Sequence, residues 1–248
     1  MNRVAKSGLF ACALAAFAVQ PALAQEAVAT PVPERVYAGA PDAQSYGYTV
    51  LDIGIATPFS LPWGFDWDIF GLDVNFLYSD CNRMYGIEAS GVANVARLEM
   101  YGLQAALGFN LANREAMGAM VSCFNMCNRT LYGLNVDVFG VNREVLGLSI
   151  DGIAAGTDGN FYGLEIAGVG SMIKEDMWGW QIALGANLAR RVHGFQTAVL
   201  LNMTDDLRGA QLGVVNYAAT CSAGFQVGIV NLIMDNDVPF IPIFNCYF

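Results

Sequence analysis

Eleven glycines recur along this chain at intervals of 14 to 16 residues, and this repeat constrains the fold more than any other feature. They are Gly71, Gly86, Gly102, Gly118, Gly133, Gly147, Gly163, Gly179, Gly194, Gly209 and Gly224. Each opens a unit of the form Gly-apolar-polar-apolar-small, most clearly in 102–108, 209–213 and 224–231. A repeat of this length is typical of one small structural unit copied many times.

Within a unit, apolar residues alternate with polar or small ones, which indicates strands rather than helices. In 178–185, Trp178, Trp180, Ile182 and Leu184 share one face, and Gly, Gln and Ala share the other. The third position of the unit is polar in ten of eleven copies: Asp73, Glu88, Gln104, Met120, Asn135, Ser149, Glu165, Gln181, Gln196, Gln211 and Gln226. The position before the glycine is often aromatic, as in Phe70, Tyr85, Tyr101, Tyr132, Tyr162 and Trp178.

Three segments are predicted from the sequence. Residues 1–24 have the basic start, apolar stretch and Ala-x-Ala ending of a cleavable signal peptide. Residues 25–45 are rich in Ala, Pro and Glu and are interpreted as an extended leader. Residues 46–248 form the repeat β domain, with a first strand near 46–55 and short polar turns such as 174–176 and 202–206.

The composition narrows the class of protein. The chain is 55% hydrophobic and only 14% charged, against roughly 25% charged in typical soluble domains. Signal cleavage removes two of the 12 basic residues and none of the 22 acidic ones, so the mature formal charge is −12. This acidic balance argues against nucleic-acid binding, which requires basic patches.

An antiparallel outer-membrane β-barrel of about 12–14 strands accounts for most of these features, and it is the main fold prediction. Each unit supplies roughly 9 or 10 strand residues, enough for a tilted membrane strand. The Leu/Ile/Val/Phe face would contact lipid, the Gly/Gln/Ala face would line the lumen, and the aromatic residues would form girdles at the two rims.

A β-solenoid is the alternative, because stacking one unit per coil would align the glycines, the Gln positions and a set of asparagines into ladders. The asparagines are Asn110, Asn125, Asn187, Asn202, Asn216 and Asn231. In this interpretation the Leu/Ile face would be buried and the Gln face hydrated. The rest of each unit would add little to the core beyond one residue such as Val145, Met177, Val192 or Leu207.

The repeats, with the Pro-rich entry and the Pro-Phe-x-Pro ending, resemble a family of exported surface repeat-containing proteins from bacteria with outer membranes. The family's units read Gly-Leu-Gln-x-Gly-Leu-x-Asn, and the resemblance covers about residues 50–248, with 71–78 and 224–231 as its clearest parts. The units at Gly118 and Gly147 depart from the pattern. The resemblance implies a location at the cell envelope and a repeat architecture, but it supplies no catalytic residues.

The sequence contains no recognisable catalytic or phosphate-binding motif, so we expect no catalytic, cofactor-binding or metal-ligating residues and no cofactor. His193 is the one histidine and occupies the aromatic position before a glycine, where a structural role is favoured over a general base. The pair Cys123 and Cys127 has no second pair to complete a zinc site, and the five cysteines after residue 24 are interpreted as small apolar filler. Acidic pairs such as Asp205-Asp206 are expected to be solvated turns rather than calcium sites.

The sequence therefore predicts a non-enzymatic protein of the outer membrane or cell surface of a Gram-negative bacterium, with outer-membrane lipid as its partner. The main hypothesis is a structural or weakly pore-forming barrel. The alternative is a secreted or surface-attached β-solenoid that serves as a binding or adhesion module.

Overall fold

The structure is a computed structural model, and it describes residues 47–64 and 67–247. The predicted signal peptide 1–24 and leader 25–45 lie outside the described residues. Fourteen strands make up nearly all of this part of the chain. They are β1 (Gly47–Ala56), β2 (Phe59–Leu61), β3 (Trp67–Ser90), β4 (Ala93–Ala106), β5 (Phe109–Ala112), β6 (Glu115–Val121), β7 (Phe124–Thr157), β8 (Phe161–Ala167), β9 (Gly170–Ala183), β10 (Ala186–Ala198), β11 (Leu201–Leu212), β12 (Val215–Gly228), β13 (Val230–Ile233) and β14 (Ile243–Cys246).

Neighbouring repeats pair in parallel and in register, so the chain completes one coil per repeat. Gly86 lies beside Gly102, Gly102 beside Gly118, and Gly194 beside Gly209. The result is a β-solenoid of about 10 turns. The main prediction of an antiparallel barrel is therefore wrong, because consecutive barrel strands would run in opposite directions and could not stack glycine on glycine.

Antiparallel pairing occurs at the two ends of the described solenoid. Strand β2 folds back on β1, and β14 folds back on β12, where Gln226 lies beside Asn245. An isolated bridge between Leu232 and Phe240 continues this C-terminal cover. The Pro- and Trp-containing segment after β1 and the Pro-rich ending, both irregular in the sequence, thus pair with the first and last coils.

The glycine requirement has two causes, which Gly102 and Gly118 illustrate. Both adopt φ of 133°, a region that residues with a Cβ rarely occupy. A Cβ added to either one would also collide with the backbone carbonyl of the repeat glycine in the preceding coil. Close stacking of the coils at this position therefore leaves no room for a side chain.

One part of the interior is an apolar ladder that lies two or three residues before each glycine. Its members are buried and comprise Met84, Met100, Ala116, Leu131, Val145, Phe161, Met177, Val192, Leu207 and Cys221. These positions form a larger core than the sequence predicted, because Val145, Met177, Val192 and Leu207 were expected to be isolated apolar residues that add little to it.

A second inner row, which includes Cys81, Ala96, Ala112 and Cys127, is also apolar. Much of the remaining interior is polar, which reverses the faces expected for a solenoid. Gln181, Gln196, Gln211 and Gln226 are fully buried, and a second ladder places Asn187, Asn202, Asn216 and Asn231 inside as well. Side-chain amides can be buried here because each one hydrogen-bonds to the same residue type one coil away. The Leu/Ile side chains of the repeat lie on the outside.

Two of the predicted turns are also corrected. Residues 174–176 lie inside β9, and 202–206 lie inside β11, because these strands continue around a corner of the coil. In the described ranges, no helix is long and apolar enough to cross a membrane.

Candidate functional site

Charged side chains concentrate along one edge of the solenoid, three to six residues before the repeat glycines. This charged edge comprises Asp80, Arg83, Arg97, Glu99, Arg114, Glu115, Arg129, Arg143, Glu144, Asp158, Lys174, Glu175, Asp176, Arg190, Arg191, Asp205 and Asp206. Ion pairs join successive coils along it, as between Arg97 and Asp80 at 2.7 Å and between Arg190 and Glu175 at 2.9 Å. The pair of Arg97 and Asp80 is partly buried, whereas pairs as exposed as Arg190 with Glu175 contribute little stability individually.

A second edge of the solenoid is apolar. It lies where the strand segment that begins at each repeat glycine ends. This apolar edge comprises ten residues five or six positions after the repeat glycines: Val92, Leu107, Phe139, Ile153, Val169, Leu184, Val199, Leu200, Val214 and Ile229. The exposed fraction reaches 77% for Leu107 and 68% for Leu184 and Ile229. Among the described residues, no exposed charged side chain interrupts this edge.

The backbone of the apolar edge is satisfied by hydrogen bonds between coils. The amide of Gly108 donates to the carbonyl of Val92 at 3.0 Å, and that of Gly185 donates to Val169 at 2.8 Å. The amide of Val230 likewise donates to Val214 at 2.9 Å. An edge whose peptide groups are already paired can leave water at a much lower cost than an ordinary loop.

Aromatic side chains form a ladder along the outer surface, at the position before the glycines. The ring centroids of Phe70 and Tyr85 are 4.7 Å apart, and those of Tyr85 and Tyr101 are 5.0 Å apart, with nearly parallel planes. The predicted girdles at two rims are therefore wrong, because in-register parallel stacking brings these rings into one row. Since the rings cover each other's faces, their edges point outward, which disfavours stacking of a sugar ring on them.

His193 belongs to the same ladder. Its ring stacks on Trp178 with centroids 4.0 Å apart and an interplanar angle of 11°. This contact places His193 in the outer row of rings, at the position that Tyr or Trp occupies in other coils.

Carboxyl side chains replace amides at several positions of the polar interior. Burial raises the pKa of Glu165 to about 7, although hydrogen bonds from Ser171 and Gln181 oppose that shift. Asp137 and Asp151 form a neighbouring buried pair in which burial raises both pKa values. A protonated carboxyl group is neutral and can take the place of an amide in such a ladder.

No metal ligands were predicted from the sequence, yet the structure brings Asp73, Cys81 and Glu88 together. One ligand atom from each lies within 4.8 Å of the others, and all three residues are fully buried. Burial is the largest cause of a raised pKa in each, to about 7 for Asp73 and about 8 for Glu88. The signal in the sequence was weak: two acidic residues occupy adjacent Gln positions, and a cysteine lies between them.

The other cysteines and acidic pairs lie apart from this cluster. Cys123 is exposed and Cys127 is buried, and both are free thiols. The carboxylates of Glu175 and Asp176 pair with Arg190 and Arg191 on the next coil. These acids thus contribute to the charged edge rather than to an isolated cation site.

Comparison of the chain with known proteins finds no matching family model, no matching curated protein and no matching solved structure. The resemblance to exported surface repeat-containing proteins therefore stays a prediction from the repeat itself.

Proposed function

We propose that this protein is a non-enzymatic, surface-attached β-solenoid that binds a lipid surface through its apolar edge. Its predicted export would deliver it to the outer membrane or cell surface, and its acidic charge argues against a nucleic-acid partner. The observation that carries the proposal is the separation of the ten-residue apolar edge from the charged edge. Side chains such as Leu107 and Leu184 would enter the acyl region while the ion pairs stay in water.

The shape of the edge favours lipid over a rigid partner. It continues onto the outward face of the repeats, where Trp180, Phe195 and Val227 are also exposed, and acyl chains can conform to such a surface. Insertion of one partly exposed apolar side chain is worth about 1 kcal/mol, so ten of them give a substantial driving force. The paired backbone removes the main cost of entering hydrocarbon.

The pore-forming hypothesis loses its basis with the barrel. The Gln face that was expected to line a lumen is buried, with the side chains of Gln196 and Gln211 fully enclosed. A binding module, the alternative from the sequence, is the better interpretation.

Flotation of the full chain with neutral phosphatidylcholine vesicles tests the proposal. The wild-type protein should float, and the double variant Leu107→Lys with Leu184→Lys should stay in the dense fraction, because lysine is costly in the acyl region. Thr220 lies beside Asp205 and Asp206 of the charged edge, so the control variant Thr220→Lys adds one lysine away from the apolar edge and should float like the wild type. Failure of the wild type to float, or equal loss in the control, would contradict the proposal.

Self-association is the competing use of the same edge, and sedimentation velocity without vesicles distinguishes it. The wild-type chain should sediment as a monomer at low concentration. A wild-type dimer that the double lysine variant dissociates, combined with no vesicle binding, would assign the edge to a second copy of the chain.

A further inference from the structure

Two carboxyl groups and one thiol meet inside the second and third coils. Asp73 and Glu88 occupy successive positions of the polar ladder, one coil apart, and Cys81 lies on the facing inner strand segment between them in sequence. One carboxylate oxygen of each acid and the sulfur of Cys81 lie within 4.8 Å of one another. This separation is small enough for one cation to contact all three after minor adjustment of the side chains.

The hydrogen bonds around the cluster leave buried acceptors without partners. Gln104 donates to Oε2 of Glu88 at 2.9 Å, whereas Oε1 of Glu88 is fully buried and has no hydrogen-bond partner. Asn75 donates to Oδ1 of Asp73 at 2.7 Å, and the Oδ1 of Asn75 is likewise buried without a partner. Buried acceptors without partners are costly and call for an explanation, such as an absent ion.

We propose that Asp73, Cys81 and Glu88 bind one divalent d-block cation of the zinc type. A thiolate with two carboxylates is a donor set that zinc accepts, while the sulfur disfavours calcium and magnesium. The site goes beyond the proposed lipid binding and does not depend on it.

The surrounding polar groups are arranged as supports for ligands. The hydroxyl of Ser79 donates to Asp73, and Gln104 holds the second oxygen of Glu88. Contacts of this kind fix the orientation of carboxylate ligands in metal sites. Binding requires deprotonated ligands, so loading of the site releases protons to solvent.

The chain contains a matched control at Cys127. This cysteine occupies the same inner ladder as Cys81, through the in-register series Cys81, Ala96, Ala112 and Cys127. The polar-ladder positions of its own coil and the next are Met120 and Asn135, which are poor substitutes for two carboxylates. Cys127 is therefore a buried thiol in a similar place without the acidic partners.

Cobalt binding to the full chain tests the site directly. Because the cluster is buried, the protein is refolded with Co²⁺, passed through a desalting column and measured by absorption and metal analysis. We expect one ion per chain with a thiolate-to-cobalt charge-transfer band, and displacement of that band by Zn²⁺. Cys127→Ala should leave both unchanged.

Two variants should remove the metal without disrupting the fold. Cys81→Ala places in the ladder the residue that already stands at 96 and 112, and Glu88→Gln extends the amide ladder of Gln104. Each should weaken Zn²⁺ binding by at least about 100-fold, since loss of even a supporting contact costs about 10–100-fold. Circular dichroism checks that both variants remain folded.

Three results would contradict the metal site. Absence of bound cobalt in the folded wild-type chain would overturn the proposal and leave the cluster as neutral, protonated acids. The same holds if Cys81→Ala retains the charge-transfer band, or if Cys127→Ala removes it.

Discussion

The side chain of Gln196 donates a hydrogen bond from Nε2 to Oε1 of Gln181, one coil earlier, at 2.9 Å. The next coil repeats the contact, with Gln211 donating to Gln196 at 2.8 Å, and Gln226 continues it at 2.7 Å. Each amide thus uses its neighbours above and below. A polar side chain that would be unfavourable alone becomes a suitable interior residue once it is repeated in register.

Gln196→Leu should destabilise the fold despite its similar size. It leaves the acceptor of Gln181 and one N–H of Gln211 buried without partners, while Nε2 of Gln211 keeps its bond to the carbonyl of Tyr217. Each unpartnered group costs about 1–3 kcal/mol. We expect a loss of about 3 kcal/mol in the free energy of unfolding, measured by urea denaturation. Phe195→Ala, at the adjacent outward position, should cost clearly less. A neutral effect of Gln196→Leu would mean that the ladder contributes no stability.

Gly118→Ala should prevent folding or cost more than about 3 kcal/mol, because the added Cβ meets the carbonyl of Gly102 at a positive φ. Gly156 is the matched control. A Cβ there would find its nearest neighbour, the carbonyl oxygen of Gly140, at 3.6 Å. Gly156→Ala should therefore be close to neutral in thermal unfolding. Equal effects at the two positions would contradict the stacking argument.

Glu165 should make the fold less stable as the pH rises. Its pKa is raised from 4.5 to about 7 by burial, so the folded chain holds a proton that the unfolded chain releases between these values. The stability that this proton provides is complete below pH 4.5 and is lost by about pH 7. Glu165→Gln should remove this dependence and add about 3 kcal/mol above pH 7 relative to wild type.

Urea unfolding of the wild type and Glu165→Gln at pH 4.5 and pH 8 measures this difference. Thr220→Lys serves as a control on the charged edge and should shift neither the sign nor the size of the pH effect. If the free energies of unfolding of the wild type and of Glu165→Gln differ by the same amount at both pH values, Glu165 does not titrate in this range.

The sequence predicted the strands and their periodicity well, but it could not decide how they pair. Alternation in 178–185 is the same in a barrel and in a solenoid. In the solenoid Gly86 lies beside Gly102 in a parallel ladder, and in a barrel it does not. That pairing is a contact between coils, which the alternation within one unit does not reveal. The nearly regular spacing of the glycines, at 14 to 16 residues, was the best signal for stacking, since a barrel has no need to align them.

The solenoid alternative had the correct fold and the wrong interior. A single Gln196 is polar and was assigned to solvent, whereas Leu184 is apolar and was assigned to the core. Hydrogen bonds along the ladder reverse that assignment, because they satisfy the buried amides in series. Residues such as Met177 then supply the apolar core from the other inner positions.

The cluster of Asp73, Cys81 and Glu88 was not predicted for a related reason. Neither acid departs from the polar character of its repeat position, and Cys81 resembles filler like Cys127. These three side chains meet only because two coils stack, which brings Asp73 beside Glu88, and because the strand segment that carries Cys81 faces them across the interior.

Removal of the C-terminal segment that covers the last coil should make the protein self-associate. Strand β14 pairs with β12, and Asn245 within it donates to the carbonyl of Pro239 at 3.2 Å. Deletion of residues 235–248 would uncover the last coil, whose unpaired backbone is a template for another chain. We expect oligomers in sedimentation velocity and increased thioflavin T fluorescence. Deletion of 247–248 alone keeps β14 and should remain monomeric, whereas a monomeric 235–248 deletion would show that the exposed end of the solenoid does not need this cover.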